Sequence, residues 1–290
     1  MINVLAEDRV FLNYGPVQMM LMARAHGLAM TEQLQEAAKY VMRILEDLAA
    51  VQKEAKDYLT LDERDLSVYP LPLQLMVGAV LETGDRTLTP MAAVAGTFAD
   101  LAGDWLVEKG ASKVMINNGG DIALRLLEEE KTKLGLTPSI GASGFSHTLD
   151  ITAADGIGGV ATSGLGGRSF TKGIASAVTV IARTARVADA CATLIANHCY
   201  AEDPGISSLP AELLDPNTDI PGQLVTVEVS TLNLLTKVKA LENGLQKARE
   251  LKLQGCIQGA ILFLDDLVVM IPENLCQSAN FEGGNKDGNS

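Results

Sequence analysis

The chain has 290 residues, 47% of them apolar and 20% charged, which is enough apolar material for a full core and too much for overall disorder. Against 23 Lys and Arg stand 36 Asp and Glu, a formal charge of −13. That argues against nucleic acid or an anionic membrane as the partner, because both need a basic surface. A phosphate ligand would have to be met by a metal, by backbone N–H groups or by a few placed cations.

Residues 1–10 carry Glu7, Asp8 and Arg9 where a signal peptide would be apolar, and no apolar run reaches the roughly 18 residues of a spanning helix, so a cytoplasmic location is expected. Residues 17–25 read as a strand. Leu34, Ala37, Val41, Ile44, Leu45, Leu48 and Val51 then recur at steps of three and four, the stripe of an amphipathic helix, with Thr31 as its expected N-cap. The stretch 53–69 is charged and irregular, with Pro70 and Pro72 as breakers. Pro90 is expected to open a second helix, with Val94, Phe98, Leu101 and Trp105 on its buried face and Gly110 as its stop. Short strands are predicted at 113–117 and 121–127 about a turn at Asn118-Gly119-Gly120, and short strands and turns continue to about 162.

A Gly-rich loop, 164–173, leads into a strand at 177–182 and a helix over 185–197. The four prolines of 201–221 predict a surface excursion. A strand at 225–229, helix over most of 231–253 and a hairpin of 257–263 with 267–271 about Asp265-Asp266 follow. The Gly/Asn/Ser-rich end, 275–290, is expected to be a disordered tail behind a single globular domain at 1–274. No short-period repeat is visible, and long helices between groups of strands predict an α+β fold. The four cysteines form no C-x-x-C pair and the three histidines are too few for a histidine-rich metal site, so the thiols read as reduced and apolar.

Four segments carry candidate chemistry. In Pro90–Gly96, small residues would let a flat ligand or backbone approach a helix start, where free N–H groups favour an anion; tight helix packing is the plainer explanation. In Asn117–Asp121, paired glycines expose the backbone at a strand end and Asp121 offers a metal ligand, against a plain polar turn. In Ala161–Gly173, glycines among hydroxyl residues can form a nest of N–H donors, with Arg168 and Lys172 adding charge for phosphate; a surface hairpin is the alternative. In Ala188–Thr193, Asp189 and Thr193 share one helical face, a hard-oxygen pair suited to Mg²⁺, or else a dipole-compensating carboxylate and a back-bonded hydroxyl. A Ser163/His147/Asp150 hydrolase lacks the G-x-S-x-G elbow around Ser163.

Taken in order, Pro90–Gly96, Asn118-Gly119-Gly120-Asp121-Ile122, Thr162-Ser163-Gly164 and the strand 177–180 leading to Asp189 and Thr193 resemble the ApbE-like superfamily over about residues 10–272, most closely its uncharacterised cytoplasmic branch. The resemblance implies an α+β fold of duplicated T-fold-like units with antiparallel sheets packed by long helices. It implies binding of FAD with Mg²⁺ and transfer of FMN onto a threonine or serine of a partner protein. It places Asp189 and Thr193 at the metal, to which the reading of the Asn117–Asp121 segment adds Asp121. Asn118, Gly119, Gly120, Thr162, Ser163, Gly164, Gly166, Gly167, Arg168 and Lys172 fall at the phosphate or flavin ligand, with the N–H groups of Gly119, Gly120, Gly164, Gly166 and Gly167 as its cradle. The transferases' His-Ile-Ile-Asp-Pro segment is replaced here by residues 166–172, which hold no histidine, so no catalytic residue is assigned. The alternatives are an enzyme of different small-molecule specificity on the same scaffold, or a non-catalytic binding or assembly module. Assembly of copies into a homo-oligomer is left open.

Overall fold

A computed structural model of the chain describes residues 1–57, 61, 65–127, 129–140, 142 and 144–279. The amino-terminal strands are β1 (Ile2–Ala6), β2 (Arg9–Tyr14), β3 (Val17–Ala25) and the short β4 (Leu28–Ala29). Helices α1 (Thr31–Ala49), α2 (Gln52–Lys56), α3 (Leu71–Glu82) and α4 (Val94–Glu108) follow, α4 being led in by a 3₁₀ turn at Pro90–Ala93. Strands β5 (Lys113–Asn118), β6 (Asp121–Leu126), β7 (Lys131–Leu136), β8 (His147–Thr152), β9 (Gly159–Ser163) and β10 (Ala177–Ala182) come next. Then come α5 (Ala185–His198), β11 (Ile206–Pro210), β12 (Leu224–Val229), α6 (Leu234–Leu253), β13 (Gly259–Leu264), β14 (Leu267–Ile271) and β15 (Gln277–Ser278).

Among the described residues one sheet runs in the order β1-β2-β3-β5-β6-β9-β10-β13-β14, with β4 on β3, and every pairing in it is antiparallel. The order contains one pattern twice. A hairpin (β2-β3) leads through helices to a second hairpin (β5-β6) that pairs back through β3·β5. The hairpin β9-β10 then leads through α5 and α6 to β13-β14, pairing back through β10·β13. The seam between the two units is β6·β9, where Ile122 faces Val160. This is the α+β, duplicated, antiparallel architecture expected from the sequence.

The main core lies between this sheet and the helices: Leu12, Leu21, Ile116, Val178, Val180 and Leu262 pack with Leu34, Phe98, Leu106 and Ile195. On the opposite face a small sheet, β15-β8-β7, covers Leu124, Val160, Ile181, Ile261 and Phe263 with Leu134, Leu136, Leu149 and Ile151. Strands β10 and β13 are therefore buried on both faces, which is why they read as almost wholly apolar, with Thr179 the one polar residue between them. No helix among the described residues is long and apolar enough to cross a membrane.

Four expectations are corrected. Thr31 is the first residue of α1 rather than its cap, and its hydroxyl donates to the Glu7 carbonyl. Pro70 and Pro72 do end the charged stretch, but they do so by opening a helix that was not foreseen: Pro70 is the N-cap residue of α3 and Pro72 sits in its first turn, where a missing N–H costs nothing. The excursion at 201–221 includes β11, which pairs with β12 as a two-stranded ribbon. Of the expected tail, Gln277 and Ser278 pair with Thr148 and His147 of β8, so its beginning is ordered; residues 280–290 lie outside the described residues.

Candidate functional site

The hairpin turn Gly119-Gly120 needs two left-handed residues, and the two glycines take φ of 74° and 114°. This sets Asp121 at the start of β6, on the unit seam. From the second unit, α5 begins just after β10 and brings Asp189 and, one turn later, Thr193 to the same place. The end of β9 and the Gly-rich loop close over them. The result is a cavity of about 640 Å³ lined by Asn117–Ile122, Thr162–Gly164, Gly166–Ser169, Asp189 and Thr193. All four segments singled out from sequence meet there, since Met91, Val94 and Ala95 also line it. Its apolar wall includes Leu45, Phe98, Leu134, Leu136 and Ile140.

The start of α4 holds a carboxyl group, but a protein one: the Gly96 N–H donates to Asp189 Oδ2 at 2.9 Å, and the Ala95 N–H also pulls against the rise that burial imposes on it. Tight packing holds as well, because a Cβ on Gly96 would lie 2.3 Å from the Ala185 carbonyl oxygen. Asn118 ties the turn to the same helix, its Nδ2 donating to the Ala95 carbonyl at 3.1 Å. Thr162 shares a hydroxyl hydrogen bond with Thr179 at 2.9 Å. Arg168 arches over Gly119, where a Cβ would lie 2.9 Å from its Nη1, and donates through Nη2 to Gln18 Oε1 at 2.7 Å. The missing side chain at Gly119 is what lets the guanidinium lie there.

Two expectations change. The Gly120 N–H donates to Asn117 Oδ1 and the Gly167 N–H to the Gly164 carbonyl, so these two glycines use their donors within their own turns. Lys172 does not line the main cavity. It lines a smaller neighbouring one of about 260 Å³, which adjoins the first at Met91, Val94, Arg168, Ser169 and Thr193. The Ser163, His147 and Asp150 set is not assembled: His147 packs against Phe263 with its Nδ1 on Ser146 Oγ, and Asp150 pairs with Lys133 at 3.1 Å. All four cysteines are free, and burial pushes the Cys199 thiol up to about 12, so none is primed as a nucleophile.

Burial raises both site carboxylates. Asp121 is pushed up to about 7 against the opposing pull of the Thr162 backbone N–H and of Arg168. Asp189 is raised by burial and then by the charge of Asp121. Between the ordinary carboxylate range and about pH 7, folded Asp121 keeps a proton that the unfolded chain gives up. Stability therefore falls as pH rises through that window, and the penalty is complete above it. Asp121→Asn is expected to raise Tm at pH 8 by several degrees in cation-free buffer and to leave it unchanged near pH 4, a pair of thermal melts that checks the sign.

Sequence reasoning missed two contributors. The β7 wall was missed because β7 belongs to the small sheet, and nothing in its local pattern says that this sheet folds over the motifs. Asp100 was missed although a lone carboxylate on the apolar face of α4 was the signal: it is fully buried and accepts from the Ala185 and Arg186 N–H groups, both at 3.0 Å.

The family model described as AbpE bacteria matches residues 2–274. The UPF0280 protein of Methanococcus aeolicus is 34% identical over 164 residues, covering 53% of this chain and 63% of that protein. The UPF0280 protein of Methanobrevibacter smithii is 31% identical over 172 residues, covering 57% and 69%, and that of Methanothermobacter thermautotrophicus 43% identical over 116 residues, covering 39% and 44%. The matches thus span from under half to about two thirds of the length of these relatives. Among solved structures, the ApbE protein of Thermotoga maritima superposes with a TM-score of 0.42 at 15% identity, covering 69% of this chain and 86% of that one. A mutant of the flavin transferase ApbE from Vibrio cholerae superposes with a TM-score of 0.48 at 13% identity, covering 92% and 97%.

Proposed function

We propose a function from one premise: the chain belongs to the AbpE bacteria family. The main cavity binds a flavin nucleotide, or a similar ligand joining a flat ring to phosphate, together with Mg²⁺. One observation carries this reading. Two carboxylates contributed by different units, Asp121 and Asp189, face one cavity beside the Thr193 hydroxyl, and burial disfavours the charge of each. A pair of hard-oxygen donors whose charges repel is a set that a divalent cation stabilises and that a lone phosphate does not. The set is small: no cluster of three or more His, Cys, Asp or Glu occurs among the described residues, so ligand oxygens and water would complete the shell.

Asp121, Asp189 and Thr193 would hold the cation, which when bound supplies charge to polarise a phosphoryl oxygen. Arg168 meets the phosphate, giving up Gln18 for it, while Ser163 and the Gly164–Gly166 backbone form the rim. The apolar wall from Leu45 to Ile140 accepts the ring. The test is uptake. Protein purified with Mg²⁺ and incubated with FAD should release flavin on denaturation, and no uptake would sink the reading.

A second reading is binding without transfer, or chemistry on another small molecule. It is favoured by one observation: no histidine lines the cavity among the described residues, and a guanidinium at Arg168 cannot shuttle protons near neutral pH. Product analysis separates the two, since transfer releases AMP from FAD and binding alone does not.

The placement of the two cations makes a further expectation. Arg168→Ala should weaken ligand binding by on the order of 10-fold, as expected for loss of a charge-assisted contact, whereas Lys172→Ala should change it by less than about 3-fold, because Lys172 lies in the adjoining cavity. Fluorescence titration of both variants checks the order.

A further inference from the structure

Helices α4 and α5 meet start to start, and each start is held by a carboxylate of the other. Asp189 of α5 takes the Gly96 N–H of α4 at 2.9 Å. Asp100 of α4 takes the Ala185 and Arg186 N–H groups of α5, each at 3.0 Å. Asp100 is fully buried, and its remaining acceptor capacity goes to Arg125 Nη2 at 2.9 Å and Arg186 Nη1 at 3.0 Å. Arg125 is fixed in turn by Asp104 at 2.7 Å. The approach is close enough that Gly96 and Gly159 both pack backbone against Ala185. Asp100 itself is not among the residues lining the main cavity.

We propose that Asp100 is a positioning residue for the candidate cation site: by fixing the start of α5 it sets where Asp189 and Thr193 stand in the cavity. The two side chains lie four and eight residues beyond Ala185, about 6 and 12 Å along the helix axis, so a shift or tilt of the helix start carries directly to both. Asp189 is tied back to Gly96, which makes the arrangement a closed loop: Asp100 holds α5, α5 carries Asp189, and Asp189 holds α4. The inference rests on the reading of Asp189 as a cation ligand for its second readout only. Its first readout, the Asp189–Gly96 contact, is independent of any ligand.

The test uses the full chain with Asp100→Asn, which keeps the shape and one acceptor oxygen but loses the charge. Arg125→Lys is the milder second variant should the first not fold. Leu251→Ala, which truncates a buried side chain on α6, supplies a control for a general loss of stability. Amide hydrogen exchange at Gly96 should be at least about 10-fold faster in Asp100→Asn than in the control, and Mg²⁺ alone should bind about 10-fold more weakly by calorimetry. The loss of Mg²⁺ affinity in the double variant Asp100→Asn/Asp189→Asn should be smaller than the two single losses added together, because Asp100 acts in part through Asp189. Exchange at Gly96 and Mg²⁺ affinity both equal to those of the control would overturn the proposal and leave Asp100 a stability residue. Faster exchange in a protein whose wild type takes up no Mg²⁺ would uphold the positioning of Asp189 and overturn the cation reading instead.

Discussion

Asp189→Asn is expected to lower Mg²⁺ affinity by on the order of 100-fold while the protein stays folded. The amide has the size of the carboxylate, and its oxygen can still accept the Gly96 N–H, so α4 keeps its cap. What disappears is the charge that a divalent cation would find beside Asp121. In the cation-free protein that same charge is unfavourable, because burial and Asp121 both oppose it. The variant should therefore be at least as stable as the wild type at pH 8 without Mg²⁺, yet gain no stability when Mg²⁺ is added, whereas the wild type should gain. Paired thermal melts and calorimetry read both effects. Wild-type Mg²⁺ affinity in the variant would remove Asp189 from the site.

Gly96→Ala is expected to disturb the fold strongly although it adds a single carbon. A Cβ there would lie 2.3 Å from the Ala185 carbonyl oxygen, 2.5 Å from its carbon and 2.7 Å from the Arg186 nitrogen, all backbone and none able to rotate away. The helices must separate, which breaks Asp189 from Gly96 and Asp100 from Ala185 together. A loss of about 3 kcal/mol or more follows, or a Tm lower by roughly 6–12 °C at 2–4 °C per kcal/mol. Gly78→Ala in α3 is the matching control. Nothing lies within 4 Å of its Cβ among the described residues, so the better helix propensity of alanine should raise stability by about 0.5–1 kcal/mol. Denaturant unfolding of the two variants should move in opposite directions.

Much of this was legible in the sequence, for reasons that differ by element. The stripe of α1 and the largely apolar runs of β10 and β13 declare themselves locally, because burial on one face or two sets residue type directly. The turn at Gly119-Gly120 and the reversal at Asp265, with φ of 53°, are local too. The doubling of the fold is not local. It lies in which strands pair, β3 with β5 and β10 with β13, and was reached only through resemblance. At the site, the motifs named Asp121, Asp189, Thr193 and the glycines, but not what their N–H groups would do. Gly120 and Gly167 turn theirs inward, and the group held at the start of α4 is the carboxyl of Asp189 itself. Asp100 and Gln18 gain their roles from partners 85 and 150 residues away, a distance at which pattern and propensity carry no information. Lys172 was grouped with Arg168 by nearness in sequence, and of the two only Arg168 reaches the main cavity.

The net charge of −13 returns as the setting of the central claim. If Asp121 and Asp189 recruit a cation rather than repel phosphate, ligand binding must depend on that cation far more than on bulk screening. The most direct measurement is calorimetric titration of FAD into the wild-type protein with Mg²⁺, with EDTA, and with Mg²⁺ at raised salt. The account predicts binding with Mg²⁺, at least about 10-fold weaker binding with EDTA, and a smaller change with salt. Equal affinity with Mg²⁺ and with EDTA, or no binding in either, would contradict it.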